Sequence, residues 1–304
     1  MLQATKIVKR FGNKQILHSI DLTVEKGEIF GFLGRNGAGK STFINILTGI
    51  LQPSSGQVRY FNEGSLTTDL KKRIGVLPDY TAFYDHLTAL KHLQYFAEIS
   101  GLKVSKANCI ALLAKVGLQG AVHEKVGKFS FGMKKKLGIA QAVIHNPEFI
   151  FLDEPTSGID AESAIHLQSF IKELKASGKT IFLTSHNLYE VEKLCDRIAI
   201  LKDGHIVKCG TMEELRARYA AENSVSIKYK ARSQGIREKI LAGCTQFGEL
   251  VGEKEGWLSF RVQQEQHIAH LLRVFHELKT DVYRVEVNET SLEDIFIGDE
   301  RHAE

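Results

Sequence analysis

The chain has 304 residues, of which 43% are hydrophobic and 25% charged, with a net charge of +4; that length suits about two packed domains, and the charge is too small to announce a nucleic-acid partner. No window approaches 18 consecutive apolar residues and the N-terminus lacks a signal-peptide core, so a cytoplasmic protein without a membrane span is expected. Cys109, Cys195, Cys209 and Cys244 are scattered without C-x-x-C pairing, which excludes a disulfide framework or zinc site as the organising element and makes them packing residues.

Residues 1 to about 215 read as strands alternating with helices, the pattern of an α/β domain. Early in this region the apolar run Ile29-Phe30-Gly31-Phe32-Leu33 leads into Gly34-Arg35-Asn36-Gly37-Ala38-Gly39-Lys40-Ser41-Thr42 and then an apolar-periodic segment, Phe43 to Leu47. Strand, glycine-rich loop and helix together make a phosphate cradle: glycines let successive N–H groups turn inward, and the helix N-terminus adds its positive dipole end. Lys40 is placed to neutralise the β- and γ-phosphates and the Ser41 hydroxyl to complete the shell of a Mg2+ ion.

Farther along, Ile74 to Leu77 precedes Pro78-Asp79. From about 85 to 146 strand signals stop and helical periodicity takes over, predicting a helical subdomain with its body over 88–118. The runs Lys71-Lys72-Arg73 and Lys134-Lys135-Lys136 read as solvated helix faces. Phe149-Ile150-Phe151-Leu152 and Thr180-Ile181-Phe182-Leu183 suit central parallel strands buried on both faces. Between them Leu167, Phe170, Ile171 and Leu174 form one apolar helical stripe. The first of these strands ends in Asp153-Glu154: behind a phosphate loop, Asp153 can reach Mg2+ and Glu154 can act as general base beside the γ-phosphate.

After about 220 the pattern changes to half-buried strands, with apolar residues alternating at Val225, Ile227, Tyr229, at Leu258, Phe260, Val262, and at Tyr283, Val285, Val287. Helical spacing of Ile268, Leu271, Leu272 and Phe275, with a second helix near 233–242, gives an approximate β-α-β-β-α-β order compatible with a ferredoxin-like layer. From residue 221 onward the net charge is −4, leaving +8 on the first 220 residues. Ser291-Leu292-Glu293-Asp294-Ile295-Phe296 can open a short capped helix. His267, His270 and His276 have no matching Cys or carboxylate cluster, so no metal site is expected there.

With these residues in view the chain resembles the ATP-binding subunit of an ATP-binding cassette (ABC) transporter over about residues 2 to 215, in the family's motif order. The resemblance implies a P-loop ABC-type α/β cassette over 1–219, with its helical subdomain inserted at about 85–146, followed by a small α+β domain over 220–304. It makes Gly34 to Thr42 the Walker A loop, with Gly34, Asn36, Gly37, Ala38, Gly39, Lys40, Ser41 and Thr42 as ATP contacts, Asp153 the Walker B carboxylate and Glu154 the catalytic base. Ser157-Gly158-Ile159-Asp160 resembles the D-loop and His186 the switch histidine that meets the γ-phosphate. Phe11 stands where the family places an aromatic ring against adenine, although a core role is equally open. Implied cofactors are ATP and Mg2+; implied partners are a second ATPase subunit, identical or related, and a separate transmembrane permease at the cytoplasmic face.

Two positions depart from the family pattern. The signature sequence, usually L-S-G-G-Q, reads Phe129-Ser130-Phe131-Gly132-Met133, so Ser130 and Gly132 keep their expected contact with a partner's ATP while Phe131 adds bulk beside it. Asp79 stands where the family has glutamine near Mg2+; shorter and charged, it would reach the metal only through water or after a small loop shift, and a plain turn role after Pro78 is also open. The C-terminal tail resembles that of bacterial drug- and antibiotic-exporting systems. Alternatives are a soluble ABC-type ATPase of translation or DNA repair, disfavoured by a single cassette without a coiled coil, and a nucleotide switch that barely hydrolyses ATP.

Overall fold

A computed structural model describes residues 1–79, 82–219, 224–231, 233–254 and 256–288; the capped helix expected at 291–296 lies outside the described residues. The chain divides into two compact units, Met1–Thr211 and Met212–Glu304.

In the first unit, β1 (Leu2–Phe11), β2 (Lys14–Val24) and β4 (Ser55–Tyr60) form an antiparallel sheet in the order β2-β1-β4. The opening strands therefore pair with each other instead of alternating with helices. A Gly12-Asn13 turn between two alternating runs is the local cause, and Gly12 takes the left-handed φ of 56° that such a turn needs.

The larger sheet contains β3 (Ile29–Gly34), β5 (Ile74–Leu77), β6 (Phe149–Asp153), β7 (Thr180–Ser185), β8 (Arg197–Lys202) and β9 (His205–Thr211) in the order β5-β6-β7-β3-β8-β9. All neighbours are parallel except β8 and β9. Helix α1 (Lys40–Leu47) follows β3 and α2 (Thr68–Lys71) precedes β5, while α6 (Ala161–Ala176) joins β6 to β7 and α7 (Leu188–Leu194) joins β7 to β8. Every residue of β3, β6 and β7 is buried, as uniformly apolar central strands require. The core is rich in phenylalanine: Phe32 stacks on Phe43 with ring centres 4.9 Å apart, and Phe151 lies 5.7 Å from Phe182. Each such ring contributes roughly 1.5–3 kcal/mol by leaving water.

Between β5 and β6 the chain forms α3 (Ala89–Ile99), α4 (Lys106–Lys115) and α5 (Phe131–Val143). Thr88, Ser105 and Ser130 cap them by accepting hydrogen bonds from the amides of Lys91, Asn108 and Met133, satisfying donors that a helix leaves open. Gly75 lets α5 sit directly on β5: a Cβ there would fall 2.0 Å from the carbonyl oxygen of Ala142. This close approach brings the first half of α5 toward the loop that follows β5.

The second unit opens with α8 (Met212–Tyr219) and continues as β10 (Ser224–Lys230), α9 (Gln234–Cys244), β11 (Glu249–Lys254), β12 (Trp257–Arg261), α10 (Glu265–Glu277) and β13 (Asp281–Asn288). Its sheet runs β11-β12-β10-β13 with antiparallel neighbours. Val225, Ile227, Leu258 and Phe260 pack with Ile240 of α9 and Leu271 and Phe275 of α10 in one core. The expected buried face at Tyr283, Val285 and Val287 is not found, because all three are exposed on an edge strand. A bulge between Lys228 and Tyr229 skips Tyr283, so Val282 opposes Tyr229 and joins the core in its place, while Val285 and Val287 keep their partners Ile227 and Val225.

Candidate active site

The parallel register brings the motif-bearing strand ends to one edge. Leu33 pairs with Ser185 and Asp153 with Thr184, so the ends of β3, β7 and β6 stand side by side, two strand spacings or roughly 10 Å across. Sequence separation hides this; topology supplies it.

At the end of β3 the glycine-rich loop turns through left-handed residues, Gly37 at φ 83° and Gly39 at φ 110°. A side chain at Gly39 would press a Cβ to 2.9 Å from Leu17. Helix α1 starts at Lys40, so Lys40, Ser41 and Thr42 form its first turn, and no side chain caps it. Its first amides are consequently free to meet an anion. Lys40 is only 7% exposed, and its Nζ donates to the carbonyls of Gly34 at 2.7 Å and Arg35 at 3.3 Å. The ammonium thus stays inside the loop it serves. Asn36 and Ser41 are exposed and Ala38 and Thr42 half-buried. Phe11, at the tip of the β1–β2 hairpin, is 51% exposed with the Lys9 Nζ 5.0 Å above its ring; it is a surface aromatic and not a core residue.

Asp153 ends β6 at 3% exposure. Thr184 Oγ1 donates to its Oδ1, and the Glu154 amide donates to the same hydroxyl at 3.0 Å. Burial pushes the Asp153 carboxyl above its usual range, and the nearby charges of Asp79 and Glu154 push the same way while Thr184 and Lys135 oppose it. Three carboxylates, Asp79, Asp153 and Glu154, thus lie in electrostatic reach of one another at this strand end, with the Lys135 ammonium beside them. Glu154 takes a left-handed φ of 49°, a conformation that costs a non-glycine residue about 1 kcal/mol or more. That turn accompanies a Glu154 Oε2 to His186 Nδ1 contact of 2.7 Å.

Glu190 was not legible in the sequence as part of this edge. Its buried carboxylate accepts from Thr156 Oγ1 at 2.7 and 2.6 Å and from Ser185 Oγ at 3.0 Å, tying the segment after Glu154 to the segment before His186. The available signal was Asn187 three residues ahead of Glu190, an N-cap pattern; Asn187 does cap α7 through the Glu190 amide.

Ser130 caps α5. Phe131, 59% exposed, turns its ring onto the D-loop of its own chain: a Cβ on Gly158 would meet Phe131 Cε1 at 2.7 Å. On the next residue, a Cβ of Gly132 would lie 3.1 Å from Ile159. The extra bulk at 131 is therefore accommodated by the glycine at 158, whose φ is 73°. Asp160 caps α6 through the Ser163 amide at 2.8 Å, and this holds its carboxyl below the usual range.

The lysine run at 134–136 is not a solvated face throughout. Lys135 is 5% exposed, with Nζ 3.2 Å from the Asp153 carbonyl oxygen and 3.7 Å from Asp79 Oδ1. The seat of α5 on Gly75 carries it there. Among the described residues no three His, Cys, Asp or Glu side chains form a metal cage by themselves; Ser41 and Asp153 offer oxygen donors, the kind that Mg2+ takes together with substrate phosphates.

Residues 17–157 match the family described as ABC transporter, and residues 210–298 match the C-terminal domain of DrrA1-3-like ATP-binding proteins. The chain is 33% identical to the linearmycin resistance ATP-binding protein LnrL of Bacillus subtilis, covering 98% of this chain and 97% of that one. It is 34% identical to the bacitracin transport ATP-binding protein BcrA of Bacillus licheniformis, over 98% and 96%. Among solved structures, the ATP-binding subunit of an ABC transporter superposes with a TM-score of 0.65 at 27% identity, covering 72% of this chain and 93% of that one. A dimeric ATP-binding cassette bound to ADP and Pi shares the fold, with a TM-score of 0.65 at 23% identity, over 70% of this chain and 99% of that one.

Proposed function

The chain belongs to the ATP-binding subunits of ABC transporters and is an ATPase, and from that premise we propose that it powers export through a separate membrane permease, working as a dimer at the cytoplasmic face. Among the described residues no helix is long and apolar enough to cross a membrane, and in this proposal a separate permease supplies the path. The names of the full-length relatives, resistance to linearmycin and transport of bacitracin, support an antibiotic-like cargo. They also leave the reading as a soluble ATPase of translation or repair without support.

In the proposed site, the amides of residues 34–42 and the start of α1 receive the phosphates, Lys40 neutralises them, and Phe11 packs on adenine. Ser41 and Asp153 are the residues that would hold Mg2+, with Asp79 near by; the ion would supply charge neutralisation across the β- and γ-phosphates. Glu154 takes a proton from water, the hydroxyl oxygen bonds to the γ-phosphorus, and the bond to the β-bridging oxygen breaks to release ADP and phosphate. His186 orients Glu154 through Nδ1. Its Nε2 is the ring atom left to meet a phosphate oxygen. Ser130 and Gly132 would complete the site of the partner subunit, so ATP closes the dimer and hydrolysis lets it open.

The observation that carries this reading is the juxtaposition of Glu154, His186 and buried Asp153 at the edge where the phosphate loop begins. Purifying the Glu154→Gln chain with ATP from its native membranes in mild detergent, followed by mass spectrometry, tests the transport role. A stoichiometric multi-span membrane protein is expected. Recovery with ribosomal or DNA-repair components and no membrane protein would overturn the proposal.

A further inference from the structure

Lys135 is a charged side chain buried where α5, β6 and the loop after β5 meet. A buried ammonium is costly unless its charge and its donors are met. Here it has two polar partners on different elements, the backbone carbonyl of Asp153 and the carboxylate of Asp79, with the Phe131 ring 6.0 Å away. Phe131 in turn rests on Gly158. One cation on the helix capped by Ser130 therefore meets the end of the strand carrying Asp153-Glu154 and the residue that stands in place of the family's glutamine, with the ring seated on the D-loop near by.

We propose that Lys135 is a positioning residue of the ATPase site, holding Asp79 as its counter-charge so that the pair acts as one neutral unit beside Asp153. The inference rests on the proposed metal site and deepens it. A carboxylate at 79 adds a negative charge beside those of Asp153 and Glu154, just where triphosphate must approach. Lys135 cancels that charge locally and keeps Asp79 drawn toward α5. Without Lys135, Asp79 repels the nucleotide and becomes free to approach the ion; without Asp79, Lys135 attracts the nucleotide with an unbalanced charge. These opposite signs separate the pair from residues that merely pack.

The test is the affinity of the full-length chain for a fluorescent ATP analogue, measured with chelator and with Mg2+. Lys135→Gln should weaken metal-free binding roughly tenfold and enlarge the gain on adding Mg2+. Asp79→Asn should strengthen metal-free binding, and the double variant should return near the parent value. Unchanged metal-free binding in Lys135→Gln, or a loss that Asp79→Asn does not restore, would overturn the inference. If Lys135→Gln does not fold, as read from its melting curve, Asp79→Asn alone decides: stronger metal-free binding supports the pair, and unchanged or weaker binding contradicts it. Asp153→Asn separates the two levels of argument, because retention of the full Mg2+ gain there removes the metal site itself, whatever Lys135 does.

Discussion

The cassette and the C-terminal unit are each built from sheet and helix, yet they put their polar residues in very different places. In the cassette, parallel central strands all end at one edge, so Gly34, Asp153 and Ser185 from distant parts of the sequence arrive together. In the C-terminal unit, antiparallel neighbours send successive strand ends to opposite edges, and the polar side chains spread over an exposed face. Parallel order concentrates chemistry; antiparallel order suits packing and surface recognition. The contrast explains why motif density collapses after residue 211.

The largest effect that would sharpen this division is at Glu154. Glu154→Gln should lower steady-state ATP turnover by about a thousandfold or more while nucleotide stays bound; turnover near the parent rate in a phosphate-release assay would remove the general base from the account. In the other unit, Phe275→Ala deletes a fully buried ring of the C-terminal core. It should destabilise that unit by about 3–5 kcal/mol. Denaturant unfolding should show this alongside unaltered ATP affinity, and an equal loss of ATP binding would break the separation between chemistry and packing.

A smaller effect is expected at Gly158, where Ala must adopt φ 73° and push a Cβ against Phe131. The cost should be about 1–3 kcal/mol, of which Phe131→Gly in the same chain recovers the steric part. No recovery in the thermal melts would mean that Phe131 does not rest on Gly158 in solution.

The smallest effect concerns Arg73 and Glu148, which sit just before β5 and β6 and pair at 2.7 Å. Hydrogen bonds from Arg73 hold the Glu148 carboxyl below its usual range. A depressed carboxylate stabilises the fold above its unfolded pKa and loses that contribution as pH falls through the folded one. Because both side chains are about a third or more exposed, solvent screening limits the contribution to roughly 0.5–1 kcal/mol. Arg73→Gln should thus be less stable than the parent at pH 7, with the gap closing below about pH 4; a gap independent of pH would show that the pair contributes through packing alone.

What was legible in the sequence was local. Strand, glycine loop and helix around Lys40 lie within 20 residues, and Asp153-Glu154 follow directly on their own apolar strand, so residue type and spacing suffice. The Asp79–Lys135 pair was hidden because its members are 56 positions apart, and a triple lysine looks the same whether or not its middle residue is buried. The β1–β2 hairpin did leave a signal in Gly12-Asn13. On the other side, β11 and β13 are edge strands, one almost wholly exposed and one with a bulge that skips Tyr283, and alternation alone could not say how much of β13 is buried.

The central claim is that the Walker residues of one subunit and Ser130 and Gly132 of another form one hydrolytic site. Light-scattering mass of the full-length Glu154→Gln chain, taken with and without ATP and Mg2+, tests it most directly. A monomer that doubles in mass when MgATP is added and retains two nucleotides is expected. A chain that binds MgATP and stays monomeric at micromolar concentration would contradict it.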